Sequence, residues 1–143
     1  MEDIRWQQRF VNFNKALAKL EEASLLSKEK SLSELEMEGL IQRFEYTYEL
    51  SWKTLQDLLK FKGYNDINGP GPVLSKAFDL GLIENADAWR RLKKSRELTS
   101  HTYDSDTAEA IATAIQAEFV DLFLYLQYKL EEEVKGKEGN LFE

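Results

Sequence analysis

The chain has no cysteine. Disulfides, thiolate metal sites and cysteine nucleophiles are therefore excluded from its chemistry, and the absence fits a reducing compartment. Proline occurs only twice, and both copies fall within one ten-residue stretch, so nothing breaks a helix elsewhere. Positive charge is in deficit: the formal net charge is −7 and the pI near 4.9. Most of such a surface repels phosphate, which argues against a histone-like or membrane-surface polycation and confines nucleic-acid chemistry to one face. No segment approaches about eighteen uncharged apolar residues, and Met1–Trp6 has neither the positive start nor the apolar run of a secretion signal. The expectation is a soluble cytoplasmic protein with no membrane partner. Period-two strand patterns and internal repeats are also lacking.

What is present is helical. At 143 residues and 43% hydrophobic content, one compact domain can bury a core without staples. Trp6, Phe10, Phe13, Leu17 and Leu20 recur every three or four residues, which predicts a first helix from Ile4 to about Leu26. Ser33 and Glu36 have the spacing of a capping box and predict the start of a second helix. Its stripe runs through Met37, Leu40, Ile41, Phe44, Tyr48, Trp52, Leu55 and Leu59 to Gly63, a left-handed cap. Aromatics on more than one face of this helix fit bulky core filling or a second buried face against another subunit. Glu45 and Glu49 share a face, but no second Glu/His pair completes a metal site.

Residues 63–72 hold both prolines and three of the seven glycines, which forces a loop and lets Pro72 open a helix. This Gly/Pro run lacks the lysine and Ser/Thr of a phosphate-binding loop. A short helix through Val73, Leu74, Ala77 and Phe78 should end at Gly81, and Asn85 should cap the next, carrying Trp89, Leu92 and Arg96. Asp106, with Glu109 three residues on, reads as the cap of a last helix whose stripe is Ile111, Ile115, Phe119, Leu122, Leu126 and Leu130. The predicted architecture is an all-α, up-down four-helix bundle over residues 1–134, its fourth element interrupted by the Gly/Pro loop, with a flexible tail over 135–143.

The stretch from Trp89 to Asp104 stands apart. Five of the nineteen lysines and arginines, Arg90, Arg91, Lys93, Lys94 and Arg96, fall within seven positions, followed by the lone histidine, His101, and then Tyr103. Five residues of continuous helix rise about 7.5 Å, so Arg96 and His101 can meet one phosphate only if the helix ends near Ser100 or a partner chain completes the pocket. Such a pair suits metal-free RNA cleavage: imidazole moves a proton near neutrality, and guanidinium stabilises charge on phosphorus. Arg90, Arg91, Lys93 and Lys94 would hold the anionic substrate. The bland reading is that these cations complement the helix dipole on a solvated face.

Arg96-x4-His101-x-Tyr103 resembles the Arg-x4-6-His motif of the HEPN superfamily, in the Arg-x4-His-x-Tyr form of HepT toxins. The wider wording, Arg43-Phe-Glu-Tyr-Thr-Tyr-Glu-Leu-Ser-Trp-Lys-Thr-Leu55, then Ala77-Phe-Asp-Leu-Gly-Leu-Ile83, then Leu98-Thr-Ser-His-Thr-Tyr-Asp104, is similar to the nucleotidyltransferase substrate-binding protein family. That family is the HEPN branch related to the helical substrate-binding domain of kanamycin nucleotidyltransferase. The resemblance implies a homodimeric four-helix bundle paired with a small, separately encoded nucleotidyltransferase in a toxin–antitoxin type of system. It implies Arg96 and His101 as a metal-independent ribonuclease pair, and Tyr103 as acceptor of AMP from ATP used by the partner. No cofactor or metal of its own is implied. Glu97 departs from the small polar residue usual after the motif arginine. It leaves open the alternative of a non-catalytic substrate-binding or docking subunit.

Overall fold

The computed structural model describes residues 2–140. Helix α1 spans Glu2–Glu29 and α2 spans Glu34–Phe61, joined by a tight turn, so the two pack antiparallel along their whole length. The turn is built as the sequence predicts. Glu36 N donates to Ser33 Oγ at 3.1 Å and Ser33 N donates to Glu36 Oε1 at 2.9 Å, satisfying two orphan amides reciprocally. At the far end of α2, Gly63 takes φ 102°, which lets Tyr64 N reach Leu59 O at 2.9 Å and close the last turn.

Helix α3 spans Pro70–Asp79 and α4 spans Ala86–Leu98. The first begins two residues earlier than the expected Pro72, because Gly69 takes φ 85° and leaves Pro70 at the first helical position. The Gly/Pro loop, expected to interrupt the fourth element, instead joins α2 to α3; the interrupted side, made of α3 and α4, comes third along the chain, and its break lies at 80–85. There Gly81, at φ 76°, ends α3, and Asn85 in a left-handed conformation accepts from Ala88 N at 3.2 Å.

After a 3₁₀ turn over Thr99–His101 come α5, Ser105–Ala114, a π-helical turn over Ile115–Phe119, and α6, Val120–Asn140. Two expectations are corrected here. The cap of α5 is Asp104, whose Oδ2 accepts from Thr107 Oγ1 at 2.7 Å; Asp106 lies inside the first turn, where its charge complements the helix dipole. Leu122 is only half-buried, and Phe123 is fully buried in its place. Ile111, Ile115, Phe119 and Phe123 are each four apart, a spacing that drifts off an α-helical face, and the wider π turn takes up the extra residue. As for the tail expected over 135–143, α6 continues as helix to Asn140, and 141–143 lie outside the described residues.

Cross-links fix the directions. Arg9 pairs with Asp57 and Arg43 donates to Lys19 O, so α2 is antiparallel to α1. Gln127 donates to Asn14 and Gln116 to Ser27, so the α5–α6 rod is antiparallel to α1 as well. Arg91 binds Glu118 while Trp89 meets Phe123 edge-on at 5.9 Å, which sets α4 against that rod. The result is the up-down bundle expected from the sequence. Phe44 stacks on Phe119 at 5.5 Å, with Phe13 and Phe123 beside them, all at most 1% exposed, and each such burial is worth about 1.5–3 kcal/mol. Among the described residues no helix is long and apolar enough to cross a membrane.

Candidate functional site

Arg96 sits in the last turn of α4, where its side chain crosses to α2 instead of following its own helix. Nη1 lies 3.4 Å from Glu45 Oε2 and Nε lies 3.4 Å from Glu49 Oε1, so one guanidinium rests between two carboxylates a helical turn apart. Both contacts are longer than a well-formed N–H···O bond, and the buried Nε makes no directed hydrogen bond among the described residues. Its firm tie is local: Nη1 donates to Thr99 Oγ1 at 2.9 Å, and that hydroxyl donates to Arg96 O at 2.7 Å. Thr99 is buried, and this loop of bonds accompanies the change from α to 3₁₀ after Leu98.

The helix thus ends before Ser100, one of the two conditions the sequence set for a common site. His101 closes the 3₁₀ turn exposed to solvent, with Nδ1 3.2 Å from the hydroxyl of Tyr103 and the two rings edge-to-face at 5.9 Å. Tyr103 is 84% exposed, so its phenol is presented outward on a short turn with the imidazole as its polar neighbour. The structure brings His101 and Tyr103 together. No hydrogen bond or ion pair joins Arg96 to His101 among the described residues.

The flanking cations are placed on the exposed side of α4. Arg90 pairs with Asp87, Arg91 with Glu118 and Lys93 with Glu97, while Lys94 is exposed and makes no ion pair among the described residues. Exposed pairs of this kind contribute about 0–1 kcal/mol, so a phosphate can replace the carboxylate at small cost. Glu97 is ionised: the Lys93 ammonium bonded to it holds its carboxyl below the usual carboxylate range. Glu118 likewise pushes the Arg91 guanidinium up.

Glu45 and Glu49 share a face of α2 by their spacing, but only the packing of α4 against α2 brings Arg96 to them. Trp52 Nε1 donates to Glu49 Oε2 at 3.2 Å, so this carboxylate is itself oriented. Tyr48, between them on α2, is 3% exposed; burial, with Glu49 and Glu97 nearby, pushes its phenol well up, and its hydroxyl has no hydrogen-bond partner among the described residues. No group of three or more His, Asp or Glu side chains suited to a metal occurs among the described residues.

Together these elements define an all-α up-down bundle whose interrupted side ends in an Arg-x4-His-x-Tyr turn with the imidazole and phenol exposed. The comparisons make this particular. The family model described as nucleotidyltransferase substrate binding protein like matches residues 8–132, and the chain belongs to that family. A Haemophilus influenzae protein named probable ribonuclease HepT is 35% identical over 98 residues, 66% of this chain and 64% of that protein; the match thus spans just under two thirds of the relative. Among solved structures, a Thermus thermophilus protein superposes with a TM-score of 0.74 at 33% identity, covering 82% of this chain and 98% of the other. A Haemophilus influenzae protein, described as revealing the fold of a substrate-binding domain of a nucleotidyltransferase, superposes at 0.65 with 26% identity, over 92% and 99%.

Proposed function

We propose that this chain is the helical partner of a separately encoded minimal nucleotidyltransferase, and that as a homodimer it is a metal-independent ribonuclease toxin silenced by AMP transfer. The observation that carries the reading is the exposed His101–Tyr103 pair on the turn that follows Arg96. In the cleavage step a 2′-oxygen of RNA bonds to the adjacent phosphorus and the bond to the 5′-oxygen breaks. His101 moves the proton of the attacking or the leaving oxygen, and Arg96 stabilises charge on the phosphoryl oxygens. Lys94, and the exchangeable pairs of Arg90, Arg91 and Lys93, hold the rest of the strand.

The same exposed pair supports the silencing step. The Tyr103 oxygen attacks the α-phosphorus of ATP bound by the partner, pyrophosphate leaves, and the AMP ester places a bulky anion beside the imidazole. The added negative charge opposes a second phosphate at the imidazole, and the ester oxygen no longer carries a proton to donate.

The test uses the purified full chain and single-stranded RNA in EDTA. Cleavage is expected, and Arg96→Ala and His101→Ala should each abolish it; cleavage persisting in both variants overturns the assignment. A second reading is favoured by the ionised Glu97 and by the carboxylates already around Arg96: a non-catalytic subunit that docks on the nucleotidyltransferase. It predicts no cleavage, and a stable complex with the partner that survives His101→Ala.

A further inference from the structure

We propose that Glu45 and Glu49 are positioning residues for Arg96, a carboxylate cradle on α2 that aims the guanidinium and yields to the RNA phosphate. The inference rests on the ribonuclease reading and adds to it two acidic residues and a tryptophan, contributed by a different helix from the motif.

The fold itself gains little from this arrangement. Arg96, Glu45 and Glu49 are each about a third exposed (31%, 34% and 35%), and ion pairs at 3.4 Å in such a setting add little to stability. Yet the cradle is carefully oriented. Trp52 Nε1 holds one oxygen of Glu49 at 3.2 Å and leaves the other for Arg96, while Thr99 Oγ1 accepts from Nη1 at 2.9 Å. Glu45 and Glu49 on α2, the latter held by Trp52, and Thr99 on the 3₁₀ turn thus set the direction of one guanidinium, which a flexible side chain would otherwise leave free to rotate.

The long contacts matter as much as the orientation. Neither carboxylate makes a short hydrogen bond to Arg96; Nε is buried, so the donor capacity left for an incoming phosphate lies with the terminal nitrogens of the partly exposed guanidinium, which can bind its oxygens at about 2.7–2.9 Å in charge-assisted geometry. Two carboxylates compete with that phosphate for one cation. Removing one negative charge therefore tightens binding of RNA, and at the same time frees the guanidinium from the direction in which it acts. A shift of about 1 Å in such a group can cost up to about a hundredfold in turnover.

The experiment measures kcat and KM of wild type, Glu45→Gln, Glu49→Gln and Trp52→Phe on one single-stranded RNA, with thermal midpoints to exclude loss of fold. For Glu45→Gln and Glu49→Gln, kcat is expected to fall about tenfold or more while KM falls several-fold. Trp52→Phe keeps the Glu49 charge and removes its donor, so kcat should fall with KM unchanged. Wild-type kinetics in Glu49→Gln and Trp52→Phe would overturn the cradle and leave the ribonuclease reading standing. A fall of kcat in Glu49→Gln accompanied by an unchanged or raised KM would also overturn it. If the wild-type protein shows no cleavage dependent on Arg96 and His101, both the ribonuclease reading and the cradle's role fall together.

Discussion

His101 Nδ1 and the Tyr103 hydroxyl lie 3.2 Å apart at the end of a single 3₁₀ turn, the imidazole and phenol both facing solvent. Each is two residues from the other, so the turn itself, without a second helix, brings the two rings together. In this arrangement a group added to the phenol oxygen lies beside the imidazole.

Co-expression with the nucleotidyltransferase partner should therefore place one AMP on Tyr103, detected by peptide mass spectrometry. Tyr103→Phe should accept none and should remain active on RNA in the partner's presence. A Tyr103→Phe protein that still carries AMP would remove Tyr103 as the sole acceptor.

Lys94 is exposed and outside every ion pair among the described residues, whereas Arg91 is bound to Glu118. If Lys94 contacts RNA phosphate, Lys94→Gln should reduce the slope of log affinity against log salt by about 0.7, the value for one lost contact to a single strand. Arg91→Gln should change it less, because Glu118 already neutralises that charge. Binding titrations at several salt concentrations decide this, and equal slopes for wild type and Lys94→Gln would place the strand elsewhere.

Tyr48 presents the opposite case, a phenol inside the bundle whose hydroxyl meets no partner among the described residues. Leaving such a group unpaired costs about 1–3 kcal/mol, so Tyr48→Phe should be neutral or more stable by about 1 kcal/mol in denaturant unfolding. Phe44→Ala, which removes the ring stacked on Phe119, should instead destabilise by about 3–5 kcal/mol. Destabilisation by Tyr48→Phe would reveal a hydrogen bond to that hydroxyl.

The start of α2 carries a pH dependence of known sign. The Ser33 amide, then Lys30, hold the Glu36 carboxyl below its ordinary value. A carboxyl depressed in the folded state stabilises it above the unfolded pKa, near about 4.3, and that contribution is lost as pH falls through the lower folded value. Thermal midpoints from about pH 7 down to about pH 3 should fall less steeply in Glu36→Gln than in wild type, while Ser33→Ala should cost about 1 kcal/mol at neutral pH by removing the cap. Parallel profiles for Glu36→Gln and wild type would show that this carboxyl is not linked to folding.

Much of the bundle could be read before any coordinates. Helix starts and stops are short-range events: Ser33 with Glu36, Gly63 and Asn85 act within four residues of themselves, so the local wording suffices. The last rod shows the limit. A stripe through Leu122 assumes an unbroken α-helix, but three successive four-residue steps from Ile111 to Phe123 widen one turn to π, and the buried face moves to Phe123. That choice belongs to the packing of Phe123 against Phe13, Phe44 and Trp89, which no local rule contains.

The same division runs through the site. From the residues alone came the helical class, the placing of the one imidazole and the basic run just ahead of it, and the resemblance that names Arg96, His101 and Tyr103. What only the tertiary structure decided is that Arg96 points across to Glu45 and Glu49 on α2 while His101 and Tyr103 face outward. Helix propensity and capping depend on neighbours along the chain, but the partner of a charge is set by which helix faces it. Positions 45 and 96 are brought together only by closing a loop of some fifty residues around a shared core.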